Sequence, residues 1–180
     1  MLTLYHGTTQ IIQAIDLEKG RHRTDFGKGF YLGTNLEIAQ RWAINRAAFS
    51  GVPMIMYYSL DPAIFKDSSV NPLVFDEPTI EWLDFVCSNR RKDEKVETDK
   101  PRHQYGAVYG PIANDKVNFV IEDYMKGKIT THEAIAKAKA LPNAMQVSLH
   151  TEKALKYLQS DIVRYQEFLS NGTWTDWKQF

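Results

Sequence analysis

Strand-like runs stand at the beginning, middle and end of this chain, and helical stretches fill the spaces between them. LTLYH at 2–6 alternates, so that Leu2, Leu4 and His6 share one face. MIMYYSL at 54–60 and Ala107 to Ile112 read as two more strands. AMQVSLH at 144–150 alternates cleanly, with Met145, Val147 and Leu149 one way and Gln146, Ser148 and His150 the other. Helical patterns cover about 35–49, 80–89, 115–126 and 131–140, and a last helix is expected from its cap at Thr151 through about Leu169. Strands and helices interspersed in this way predict an α+β domain.

No Pro/Gly/Ser-rich linker interrupts the 180 residues, so residues 1–180 are read as one domain, with a helical insertion at about 115–142. Residues 90–102 carry charges of both signs and almost nothing apolar, and are read as a solvated loop.

Gly27, Gly29 and Gly33 fall within seven residues, DFGKGFYLGT, beside Phe30 and Tyr31. Glycine crowding means that backbone passes close to something. It is not a phosphate loop: a Walker-type loop needs glycine five positions before the Gly-Lys and a hydroxyl residue after it, where this chain has His22 and Gly29. Nor does it fit the dinucleotide fingerprint, because the three glycines are spaced two and four apart. Thr34 and Glu37 in TNLE fit a capping box opening the next helix, which carries Ile38, Trp42 and Phe49 toward one side.

The formal net charge is zero, so no basic stripe suited to tracking nucleic-acid phosphates is indicated. Cys87 is the only cysteine and is read as core, and the histidines show no ligand-like pairing, so no metal is assigned. MLTLYHGTT has no signal-segment pattern, and no run of 18 apolar residues occurs. A cytoplasmic protein without a membrane partner is expected.

YHGT at 5–8, followed about 25 residues later by GKGFYL, resembles the ADP-ribosyltransferase superfamily of the diphtheria-toxin and poly-ADP-ribose-polymerase type. The order YHGT, DFGKGFYLGT, YGAVYGPIAND, QVSLHTEKAL looks like a bacterial branch with an unknown-function label and a His-Tyr-Gln type triad. The resemblance implies a split β-sheet core and NAD as co-substrate. It implies His6 bonding the adenosine ribose, Gly7 bonding the nicotinamide amide through its backbone, and Thr8 adding a hydroxyl nearby. Tyr31 would stack on the nicotinamide ring, with Trp42, eleven positions on, closing the other face. The third-strand position, a glutamate in many relatives, falls on Gln146. Arg21 stands where relatives often place a pyrophosphate-contacting arginine; a solvated turn is the alternative. Trp42 has its own alternative, since its spacing with Ile38 and Phe49 also fits core packing.

The implied reaction is mono-ADP-ribosyl transfer to a macromolecular acceptor, protein or nucleic acid, by a bacterial toxin or effector that an antitoxin or immunity partner holds in check. Positive charge develops on the ribose as nicotinamide leaves, and the glycines would form a floor for its flat ring. Glutamine at 146 keeps a hydrogen bond to the ribose hydroxyl and forfeits a charge whose attraction, about 4 kcal/mol at 4 Å, would favour the transition state. Two other readings are a module that binds NAD or ADP-ribose without turnover and an RNA 2′-phosphotransferase-like enzyme.

Overall fold

A computed structural model describes residues 1–91, 103–113, 115–140 and 144–179. The charged stretch expected at 90–102 lies outside the described residues except for Arg90 and Arg91, which end a helix. The order of elements is β1 Leu2–Thr8, β2 Phe30–Gly33, α1 Leu36–Ala47, β3 Met54–Leu60, β4 Pro72–Val74, α2 Ile80–Arg90, β5 Ala107–Pro111, α3 Asp115–Met125, α4 Thr131–Lys139, β6 Met145–Leu149, α5 Glu152–Leu155, β7 Leu158–Glu167 and β8 Lys178–Gln179. The chain is α+β, and its strands form one sheet in the order β4-β5-β6-β2-β1-β3-β7-β8. Among the described residues, only the β4–β5 pair in it is parallel.

Both faces of the sheet are covered, and residues on each side of its central strands are buried. Leu4, Phe30, Leu32, Met56, Tyr58, Val147 and Leu149 bury one face against the short 3-10 turn Pro62–Lys66 and α5. On the opposite face, α2, α3 and α4 pack Trp82, Val86, Val117, Ile121 and Ala134 over Val108. Beside them α1 lays Ala39 and Ala43 against Ile55.

Helix α1 turns the other way from its apolar stripe. Ala39 and Ala43 face the sheet, while Trp42 is 49% exposed and Phe49 91% exposed. Gly7 is the reason. A Cβ there would meet the Ala39 carbonyl oxygen at 2.4 Å and the Ala43 amide at 3.1 Å, so the helix backbone rests directly on β1. Only small residues let it approach so closely, and the core reading of Trp42 is excluded. The cap of α1 is also shifted by one residue: Asn35 accepts from the Ile38 amide at 3.0 Å, and the Thr34 hydroxyl donates to the Met145 carbonyl.

The expected long last helix is a single turn. Thr151 does cap α5, accepting from the Ala154 amide, but residues 158–167 then run as β7 along β3. Without β7 the ladder groups along that side of β3 would be unpaired, a strong drive for strand addition. Leu158 and Tyr165 join the core on the Leu4 side when the segment is extended. No described helix is long and apolar enough to cross a membrane.

Candidate functional site

The three strands that carry His6, Tyr31 and Gln146 are neighbours in the sheet. Register sets Tyr5 opposite Gly33 and Gly33 opposite Gln146. β1 pairs with β3 over seven positions and β2 with β6 over four, but β1 and β2 pair at one, Tyr5–Gly33. Beyond that pair the two strands part. Continuing the register would set Gly7 opposite Tyr31, and across this gap a side chain replaces the ladder: His6 Nδ1 lies 2.7 Å from the Tyr31 carbonyl oxygen.

A carbonyl can only accept, so His6 carries its proton on Nδ1 and leaves Nε2 as an acceptor. Burial, and then the Arg46 and Arg21 guanidiniums, lower its pKa to about 4 against the opposing pull of the Tyr31 carbonyl. The imidazole is therefore neutral at pH 7. Its ring stacks on Phe30 at 4.6 Å, on the side of β2 opposite the Tyr31 phenol.

Tyr31 is committed to the loop before it. Its hydroxyl accepts from the Phe26 amide at 2.9 Å, donates to the Gly27 carbonyl at 2.8 Å and lies 2.8 Å from the Thr24 hydroxyl. Burial pushes the phenol well above its usual pKa range. The ring lies against Phe26 with its remaining surface partly exposed.

The glycines between have an occupant that the sequence did not advertise. Gly27 has φ +80°, and a Cβ on Gly29 would lie 2.6 Å from His150 Nδ1. His150 Nδ1 is 2.7 Å from the Lys28 carbonyl and His103 Nε2 is 2.8 Å from the Phe26 carbonyl. Three imidazoles thus donate to carbonyls of Phe26, Lys28 and Tyr31. The floor expected beneath a ligand ring is packed, at Gly29, against the protein's own histidine.

Gln146 is buried, only 8% exposed. Its Nε2 donates to Asp25 Oδ2 at 2.7 Å. The Ala113 amide donates to the same oxygen at 3.0 Å, and Arg90 reaches Oδ1 through Nε at 3.1 Å and through Nη2. Arg90 also donates to Asn118. Asp25 and Arg90, like His103 and His150, are site residues that motif spacing missed; Asp25 and Arg90 stand 65 positions apart, with no local pattern to join them.

The other expected contacts are divided. Arg21 lies 6.0 Å over the Trp42 ring, and the Trp42 Cβ borders the Gly7 position, so these three are brought together. Arg46, one helical turn beyond Trp42, joins them through its effect on His6. Thr8 is buried, and its hydroxyl is used in its own turn, bonding to Gln10. Cys87 is core as expected, its thiol raised to about 11 by burial. Two shallow hollows, of about 460 and 550 Å³, lie near Ile80–Ile135 and Arg91–Tyr124, and neither is lined by His6, Tyr31 or Gln146.

The family described as "Protein of unknown function (DUF3990)" matches residues 2–160. No curated protein and no solved structure matches the chain.

Proposed function

We propose, from the premise that the chain belongs to the DUF3990 family, that it is an NAD-dependent mono-ADP-ribosyltransferase. The observation that carries this reading is the parting of β1 from β2 between His6 and Tyr31, with Gln146 on the next strand. A sheet opened at that point supports the split-sheet architecture that the resemblance implies. An extended dinucleotide suits such a gap, because its two ends need different surroundings. A neutral imidazole with a bare Nε2 accepts from an adenosine ribose hydroxyl at one end. Tyr31 on β2 and Trp42, whose Cβ borders Gly7 of β1, would frame a nicotinamide ring at the other, and Arg21, beside Trp42, would meet the pyrophosphate.

When the glycosidic C–N bond breaks, its electron pair passes to the pyridinium nitrogen and neutral nicotinamide leaves. The ribose cation is captured by an acceptor oxygen or nitrogen, which gives up its proton. Groups fixed before the reaction, rather than moved during it, stabilise such a transition state best. The bonds that hold Tyr31 and Gln146 in place serve that requirement.

Turnover-free binding of NAD is the second reading. It is favoured by the Arg90–Asp25 pair, which offsets the carboxylate charge nearest Gln146.

The test is NAD labelled in its adenosine half, incubated with purified protein and bacterial lysate. Label moving onto a macromolecule supports transfer, whereas intact NAD recovered from a saturable complex supports the binding module. Trp42→Ala separates the aromatic contact from folding, because Trp42 is half exposed. One stacked ring is worth about 0.5–1.5 kcal/mol, so KM for NAD is expected to rise about two- to twelvefold. An unchanged KM would remove Trp42 from the site.

A further inference from the structure

We propose that Asp25 and Gln146 work as one unit, in which the largely buried Asp25–Arg90 pair fixes which atom of the Gln146 carboxamide faces the NAD ribose. This rests on the NAD reading above.

Asp25 receives four donors: the Gln146 amide, the Ala113 backbone N–H, and Nε and Nη2 of Arg90. An ionised carboxylate offers about four lone-pair sites and no proton. Its acceptor capacity is therefore filled, and the group that Gln146 presents to it must be the NH2. Turning the carboxamide over would set Oε1 against Oδ2, two acceptors with no hydrogen between them. Oε1 is thereby held as the acceptor available to a ribose hydroxyl.

The same contact explains the residue type. A glutamate at 146 would bring a second carboxylate to within hydrogen-bond distance of Asp25, and two carboxylates so close do not both ionise. Glutamine is what a site already holding a buried aspartate requires. Asp25 does not touch the ribose; it is a positioning residue acting through Gln146.

The experiment compares Asp25→Asn, Gln146→Glu and the double variant by urea unfolding and by nicotinamide release from NAD. In Asp25→Asn the new oxygen stays on Arg90 and the new NH2 faces Gln146, which turns the carboxamide over. Turnover is expected to fall about a hundredfold with KM for NAD little changed. Gln146→Glu is expected to raise the unfolding constant by setting a second carboxylate against Asp25, and to lower turnover less, because a proton shared between the two still leaves an acceptor oxygen toward the ribose. In the double variant the NH2 of the introduced amide donates to the introduced carboxylate, and turnover returns to within about tenfold of wild type. The Ala113 amide loses its acceptor in both variants that carry Asp25→Asn, so it cancels in the comparison. The unfolding constants should be coupled by about tenfold or more relative to the product of the single effects. Additive unfolding effects would overturn the unit whatever the activity. Coupled unfolding, with release by wild type but no rescue in the double variant, would overturn it too. Coupled unfolding with no release from wild type would retire the NAD reading and leave the Asp25–Gln146 unit standing.

Discussion

Replacing Arg90 with methionine is expected to destabilise the fold by about 3–5 kcal/mol, the range for removing one partner of a buried ion pair. The side chains of Arg90 and Asp25 are 19% and 11% exposed, so water does little to replace the lost partner. The carboxylate would remain beside Gln146 and the Ala113 amide, next to a core built from Phe26, Phe75 and Val108. Arg90 also ties α2 to Asn118 on α3, so its loss loosens two helices at once. Urea unfolding at neutral pH reads the effect directly. Adding Asp25→Asn to the Arg90→Met chain should recover part of the loss, because the uncompensated charge is gone. A loss below about 1 kcal/mol would mean that the pair behaves as a surface ion pair.

Acid is expected to weaken this protein earlier than its carboxylates alone would require. His6 and His150 each have a folded pKa lowered to about 4, mainly by burial, against an ordinary value of 6.5. Between those values the unfolded chain binds a proton at each site and the folded chain does not. Stability therefore falls as pH drops from 6.5 toward 4, and above 6.5 the contribution is constant. The slope is about 1.4 kcal/mol per pH unit for each histidine, and several kcal/mol accumulate over the window from the pair. His103, also lowered by burial, adds in the same direction. His6→Asn and His150→Asn each keep a donor near Nδ1 and cannot titrate, so each should remove about one proton from the linkage measured at pH 5. A linkage unchanged by either substitution would show that those imidazoles stay accessible to protons in the folded chain.

Much of this arrangement is legible in the sequence, and what escapes does so for physical reasons. β1, β3 and β6 are readable because their alternation or β-branched and aromatic content is local, and α2, α3 and α4 because their periodicity is. Residues 158–167 read as helix because their pattern suits either structure, and the partner that decides the matter, β3, lies about a hundred residues earlier. α1 misleads in another way: Ile38, Trp42 and Phe49 form an apolar stripe, yet the close approach at Gly7 admits only Ala39 and Ala43. His6, Tyr31 and Gln146 stand on adjacent strands, an adjacency set by long-range pairing and not by the order of the motifs alone. Asp25, Arg90, His103 and His150 are invisible as site residues. Their partners are backbone carbonyls or side chains distant in the chain, and neither leaves a spacing to read.

Nicotinamide release tests the central claim, that the gap between β1 and β2 holds NAD for cleavage. Purified protein incubated with NAD should produce free nicotinamide, and His6→Ala and Gln146→Ala chains that retain their fold should produce far less. NAD left intact by the wild-type chain, or nicotinamide formed equally by all three, would contradict it.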